Sequence, residues 1–356
     1  MAIREREKLL LSEAVALGIS AAGIMLSMGY PFFRFITYAG SKDDRLAKLD
    51  KKTNSTKSNR RKWFQLKHTK VNHPRHKHEE EYLATREWCE KQSMEDMYVR
   101  SFDGLILHAN YLPAEKPERI ILLSHGYRGT CFGSVAHMAE YLHENHCSLL
   151  FIDQRCCGES EGEYITFGAK EQYDILCWVQ LIHNKLQPGA HKTFDSEQIS
   201  KKAENLPVYL LGQSMGASSV LMASAHELPS EVKGIIADCG FHSMKQQLSD
   251  MAREWFHFHW IGLLLLRVDF FCRLFAGFKM KDADTTAALK ENKRPILFFH
   301  GEDDTYVSPV NTELNFELCQ AHAEKVIVPG ARHLCSSYEA PELYKRKLME
   351  FFREND

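Results

Sequence analysis

The pentapeptide Gly212-Gln213-Ser214-Met215-Gly216 constrains this chain more tightly than any other stretch of it. It is preceded by the apolar run Pro207-Val208-Tyr209-Leu210-Leu211 and followed by Ala217-Ser218-Ser219-Val220-Leu221-Met222-Ala223. The first run has the length and composition of a buried strand, and the second reads as the opening turns of a helix. A serine held between two glycines at such a junction belongs on a tight strand-to-helix turn that lifts its hydroxyl above the edge of a sheet. Glycine is needed on both sides because a side chain there would crowd the neighbouring strand or helix. The serine itself is expected in a strained backbone conformation.

The chain around this turn alternates strands and helices. Residues 97–101 and 105–112 form an expected hairpin about the turn dipeptide Asp103-Gly104. Apolar strands are expected at 119–124, 148–152, 207–211, 232–237, 296–299 and 325–328, with helices at 134–144, 169–185, 309–322 and 341–353. Continuous apolar strands separated by helices predict an α/β fold, a mostly parallel sheet covered on both faces. Functional groups in such sheets gather at the carboxyl ends of the strands. Between residues 241 and 290 the alternation breaks into an insertion rich in Trp, Phe and Leu, interrupted by Arg267, Asp269 and Arg273. Those charges argue against a membrane span, and the insertion reads as a helical lid whose other faces pack as ordinary core.

No charged residue occurs from Ala14 to Phe33, a stretch long enough for one membrane-spanning helix. Residues 1–40 are therefore read as an N-terminal membrane anchor segment. A cleaved signal peptide and an amphipathic helix packed on the domain are the alternatives. Residues 41–80 form a basic polar linker that ends in His68, His73, His76 and His78, a segment with little to fix a metal geometry. More basic residues follow the apolar stretch than precede it, which places the catalytic portion, residues 81–356, in the cytoplasm. The ten cysteines lack regular spacing and fit reduced thiols. A formal net charge of −2 gives no global reason to expect nucleic acid as a partner.

Ser214 needs a base, and the base needs an orienting carboxylate, because a serine hydroxyl is a poor nucleophile at neutral pH. Acid candidates Asp303 and Asp304 follow the strand at 296–299, and the histidine candidate His333 follows the last strand. Both loops lie at the end of the sheet where Ser214 is displayed. An oxyanion formed on attack requires two backbone donors. These are assigned to Met215, next to the nucleophile, and to Tyr127 in the loop His125-Gly126-Tyr127-Arg128-Gly129. His125 and His300 are expected to brace their loops.

Taken together, HGYRG, the stretch Asp153 to Ser160, GQSMG, the stretch His300 to Val307 and the late His333 resemble the α/β-hydrolase serine enzymes. The nearest likeness is to the bacterial, often membrane-anchored hydrolases grouped with serine aminopeptidases, acyl esterases and lysophospholipase-like proteins. It runs from about residue 80 to 355. The resemblance implies the chain order nucleophile, acid, histidine, and its H-G-x-x-D-x-x-V pattern puts the acid on Asp304 rather than Asp303. One departure stands out: in the family's D-x-R-G-x-G-x-S loop, Cys156 replaces the first glycine.

The expected activity is hydrolysis of a carboxylic ester or thioester through an acyl-enzyme on Ser214, His333 and Asp304, with no metal or organic cofactor. A small-molecule or lipid-like acyl substrate suits the apolar insertion. A serine peptidase of aminopeptidase type is the alternative on the same residues. So is a catalytically silent, membrane-tethered binding protein, and a lyase or perhydrolase would share the triad.

Overall fold

The run ending in the Ser214 turn becomes the fifth strand of an eight-stranded sheet. The computed structural model describes residues 29–42, 77–130, 132–133, 135–187, 205–256 and 261–356. The strands are β1 (Glu95–Arg100), β2 (Ile106–Leu112), β3 (Arg119–Ser124), β4 (Cys147–Ile152), β5 (Val208–Gln213), β6 (Val232–Asp238), β7 (Ile296–Gly301) and β8 (Ala323–Val328). Their spatial order is β1-β2-β4-β3-β5-β6-β7-β8, antiparallel between β1, β2 and β4 and parallel from β4 to β8. After β3 the chain runs to one side to form β4, then returns to the other side for β5. That reversal opens a crevice above β3 and β5, where ligands bind in open parallel sheets.

Alternate residues of each central strand feed different cores, as the two-residue period of a strand requires. Ile121, Leu123, Tyr209 and Leu211 join one buried cluster, with Tyr344, Leu348 and Phe352 of the last helix. Ile120, Leu122, Val208 and Leu210 join the cluster on the other face, with Trp178 and the helix Met215–Ala223. Burial on both faces explains why these strands read as unbroken apolar runs rather than alternating ones.

A third cluster sits beyond the carboxyl ends of the strands and belongs to the insertion. The helices Met244–Phe256 and Gly262–Phe271 contribute Met244, Leu248, Leu265, Val268 and Phe271, which pack with Met215 of the turn and Val307 of the acid loop. Phe33 and Ile36 belong to the same cluster, and they come from a helix at residues 29–37. Residues 29–33 are the end of the apolar stretch expected to span a membrane. Here they are spread against the lid, with the Phe33 ring 6.0 Å from that of Phe271 and 5.6 Å from that of Tyr164. Residues 1–28 and 43–76, which carry the rest of the anchor and most of the linker, lie outside the described residues. Among the described residues no helix is long and apolar enough to cross a membrane. At the end of the linker, Lys77 and His78 meet Glu339 at 2.8 and 3.0 Å.

The loop after β4 accommodates its unusual cysteine without losing its shape. Cys156 has φ 65° and Gly158 φ 48°, so both positions keep the left-handed backbone that glycine would adopt freely. A side chain at Gly158 would collide with the Asp153 carboxylate. Cys156 pairs its amide with the Glu161 carbonyl at 2.9 Å and buries its thiol in the third cluster. A left-handed non-glycine residue costs ~1–2 kcal/mol, against ~1 kcal/mol for burying a small side chain. Cys156→Gly relieves the strain, whereas Cys156→Ala keeps it and loses packing. In urea denaturation Cys156→Ala is expected to be the less stable of the two by ~1 kcal/mol, the reverse of the order at an ordinary helix or strand position.

Candidate active site

Backbone crowding shapes the site before any side chain acts. Ser214 has φ 54° and ψ −121°, outside the conformations that a non-glycine residue prefers. Its amide donates to the Asp238 carbonyl of the neighbouring strand at 2.8 Å, and its carbonyl accepts from the Ser218 amide at 3.1 Å. A side chain at Gly216 would run into the Ser124 carbonyl oxygen of β3, and one at Gly212 into the Gly216 backbone. The helix Met215–Ala223 therefore starts in direct contact with β3 and β5, and Ser214 is held at the crevice above them.

The register of the sheet then brings the other loops to it. Gly212 lies opposite Ser124, Gln213 opposite Asp238, Asp238 opposite Phe299, and Gly301 opposite Val328. The loops leaving β3, β5, β7 and β8 thus start at one level. His333 Nε2 lies 3.0 Å from Ser214 Oγ, and His333 Nδ1 lies 2.6 Å from Asp304 Oδ2. With Nδ1 protonated and donating to the carboxylate, Nε2 is left to accept the serine proton, which is the arrangement general-base activation needs. All three side chains are buried. Asp303, the rival acid, is exposed, and its amide donates to the Ala331 carbonyl at 2.9 Å.

Asp304 is fastened on both oxygens. Its Oδ1 accepts from the amides of Tyr306 and Val307 at 2.9 Å each, and His300 Nε2 approaches Oδ2 at 3.2 Å. Burial pushes this carboxyl up, but the His333 and His300 rings outweigh it and hold it well below the usual carboxylate range. His300 is itself held between the Thr312 hydroxyl, 2.6 Å from Nδ1, and the Val307 carbonyl, 2.8 Å from Nε2. On the β3 side, His125 Nδ1 donates to the Gly126 carbonyl at 2.7 Å while Nε2 accepts from the Gln154 amide at 3.1 Å. Complete burial pushes His125 down, in keeping with a neutral ring that bridges two loops.

The expected oxyanion donors flank the nucleophile. Met215 is the first residue of its helix, so its amide has no intrahelical acceptor. Tyr127 follows Gly126, and a Cβ on Gly126 would sit 3.3 Å from the Ser214 Cβ. The Tyr127 turn thus passes directly beside the nucleophile.

Cys239, Asp304 and His333 are metal-ligating residue types with ligand atoms within 4.8 Å of one another. Burial pushes the Cys239 thiol well above its ordinary value, and both His333 nitrogens face Ser214 and Asp304, so the set suits proton transfer better than metal binding.

Sequence reasoning passed over Asp238. Its carbonyl receives the Ser214 amide, and its fully buried carboxyl accepts from Gln213 Nε2 at 2.8 Å and from Tyr344 and Ser336 at 3.3 Å. Burial pushes this carboxyl up. The signal was present, since an acid at the end of an apolar strand needs partners. Tyr306, whose ring centre is 4.8 Å from that of His333, gave none.

Known proteins carry the same architecture. A family model described as serine aminopeptidase, S33, matches residues 115–270, and one described as prolyl oligopeptidase family matches residues 202–355. The structure of the Pyrococcus furiosus esterase Pf2001 superposes with a TM-score of 0.58 at 18% identity, over 74% of this chain and 92% of that one. The chain is an α/β-hydrolase of the serine-hydrolase type. A further structural neighbour of this α/β-hydrolase is the Pyrococcus horikoshii acylaminoacyl peptidase, with a TM-score of 0.51 at 15% identity over 75% of this chain and 43% of that one. In sequence it is similar to the uncharacterized protein YqkD of Bacillus subtilis (strain 168), 26% identical over 239 residues, 67% of this chain and 72% of the relative.

Two outcomes follow for Asp304. Replacing it with Asn leaves His333 in the wrong tautomer and is expected to lower kcat by ~10⁴, measured with any substrate the wild type turns over. Because the folded carboxyl titrates below its unfolded value of ~3.9, its contribution to stability is complete above that value. It is lost as pH falls towards the folded one. Urea midpoints of the wild type should therefore drop more steeply with acid than those of Asp304→Asn.

Proposed function

We propose that this α/β-hydrolase cleaves carboxylic esters, or thioesters, through an acyl-enzyme on Ser214. The observation that carries the reading is the hydrogen-bonded run from Ser214 Oγ through His333 to Asp304, at 3.0 and 2.6 Å. In the proposed cycle His333 takes the Ser214 proton as Oγ attacks the carbonyl, and the amides of Tyr127 and Met215 receive the oxyanion. His333 then returns the proton to the leaving oxygen or sulfur. Water, activated by the same ring, releases the acid. Asp304 holds the imidazole throughout and stabilises its charged form.

An apolar acyl or aromatic group is favoured because Tyr127, Phe167, Phe241 and the lid helices share one apolar cluster with Met215. Peptide-bond cleavage is the second reading. It is favoured by the serine aminopeptidase and prolyl oligopeptidase descriptions of the matching models, and by the acylaminoacyl peptidase neighbour. We further propose that the catalytic domain faces the cytoplasm, next to a membrane contacted through the N-terminal segment. The support is the excess of basic residues after the apolar stretch. Protease access to a tag at each terminus in intact cells checks this, and protection of the N-terminal tag alone would reverse it.

A fluorophosphonate probe is expected to label the folded protein stoichiometrically and to leave Ser214→Ala unlabelled. Absence of labelling in the folded wild type would reduce the chain to a binding protein. With p-nitrophenyl esters of increasing acyl length, kcat/KM should rise from acetyl to medium chains. Preference for short polar acyl groups, or faster turnover of aminoacyl amides, would hand the activity to the second reading.

A further inference from the structure

Residues 29–41 connect to the catalytic centre at the Tyr127 turn. The helix at residues 29–37 ends with carbonyls that have no partner inside the helix, as every helix end does. Two such acceptors, and the carbonyl of Tyr38 just past the helix, are met from the turn: Tyr127 Oη donates to the Ile36 carbonyl at 2.7 Å, and Arg128 Nη2 donates to Phe35 and Tyr38 at 2.7 and 3.1 Å. A guanidinium at a helix C-terminus also complements the negative end of the helix dipole. The next residues knit into the loop after β4. The Ala39 amide donates to the Glu163 carbonyl at 2.7 Å, the Ile165 amide donates to the Thr37 carbonyl at 2.8 Å, and Tyr38 bridges Tyr164. That same loop supplies Phe167, whose ring stacks on Tyr127 at 5.4 Å.

The turn needs outside support. Arg128 sits at φ 51°, a left-handed conformation that costs ~1–2 kcal/mol for a non-glycine residue. The Gly129 amide closes the turn onto the Gly126 carbonyl at 3.0 Å, which leaves the side chains of Tyr127 and Arg128 as its outward attachments. Tyr127 carries the assigned oxyanion amide on its backbone and the bond to Ile36 on its side chain. A shift of the N-terminal segment therefore reaches the donor through Tyr127 itself and through its neighbour Arg128.

We infer that residues 29–41 act as a positioning strap for the oxyanion turn, with Arg128 and the Tyr127 hydroxyl as the positioning groups that fasten it. The apolar N-terminal stretch leads straight into this strap, so the strap couples the state of that stretch to transition-state stabilisation at Ser214. This rests on the serine-hydrolase reading above. Neither fastening group touches the reacting atoms; both act through the geometry of the Tyr127 amide.

The test uses the full chain with Tyr127→Phe, Arg128→Met and Phe33→Ala. Phe33 is wholly buried between the strap and the lid and lies outside the catalytic set. Because removing an oxyanion donor outright lowers kcat by ~10²–10³, displacing one is expected to lower kcat by about ten-fold in Arg128→Met. KM should stay within about two-fold of wild type, and affinity for an alkyl boronic acid, a tetrahedral analogue, should fall in parallel with kcat/KM. Tyr127→Phe, which deletes one hydroxyl and leaves the ring, should show the same pattern to a smaller degree. Arg128→Lys should recover part of the loss, since an ammonium reaches one carbonyl but not the fork of two. Combining Phe33→Ala with Arg128→Met should give less than the product of the single effects, because both release the same attachment.

The inference fails if folded Arg128→Met and Tyr127→Phe keep wild-type kcat, if their losses fall on KM alone, or if boronate affinity does not follow. It also fails if the Phe33 and Arg128 effects simply multiply. Absence of fluorophosphonate labelling in the wild type would instead remove the serine-hydrolase reading itself, and with it the premise of the test.

Discussion

The close approach of three backbones at Gly216 governs the rest of the site. The helix that begins at Met215 can touch β3 only because no side chain stands between Gly216 and the Ser124 carbonyl. Once that contact is made, Ser214 is forced into its left-handed conformation, and its hydroxyl projects beyond the carboxyl ends of β3 and β5. The strain at one residue is repaid by two ordinary hydrogen bonds, to Asp238 and from Ser218, and by the burial of the whole following helix. A nucleophile on a freely moving loop would lose the fixed separation from His333 that proton transfer requires. Here that separation follows from sheet register, which the two cores on either face hold in place.

Electrostatically, the site is built to keep one carboxylate charged and to leave another carboxyl buried without a cation in contact. Asp304 gathers two amides and two imidazoles, while Asp238, equally buried, has an amide side chain and two hydroxyls. Their environments push the two groups in opposite directions, which fits Asp304 for orienting His333 and Asp238 for securing the turn. His125 and His300 each bridge two segments, and in both cases burial and fixed partners leave little freedom for a base.

Much of this was legible in the sequence because it depends on local chemistry. Unbroken apolar runs marked the parallel strands, the glycines marked the Ser214 turn, and motif spacing separated Asp304 from Asp303. The order of the strands in the sheet followed only from contacts distant in sequence, and so did the partnership of Asp238 with Tyr344. Cys156 read as a break with the expected loop, yet the loop kept its geometry, since the backbone hydrogen bonds of Cys156, Cys157, Ser160 and Glu161 and the buried Asp153 beside Gly158 over-determine it. Residues 29–37 were hidden for a different reason. Their uncharged apolar part, residues 29–33, looks the same whether its surroundings are lipid or the aromatic side of a lid, and the contacts with the rings of Tyr164, Phe271 and Phe275 are visible only in the fold.

Among the described residues before β1, two contacts with the folded domain adjoin different halves of the reaction centre. The first lies at the Tyr127 turn; the second is where Lys77 and His78 grip Glu339, a few residues beyond His333. The described residues at both ends of the intervening stretch are held by the domain, so its connectivity closes a circuit. Lengthening such a circuit costs only ~0.6 kcal/mol per doubling, so insertions there should be well accepted. A single cut within it would leave both halves clasped to the enzyme, and an electrophoretic gel would report two fragments from a particle that still behaves as one.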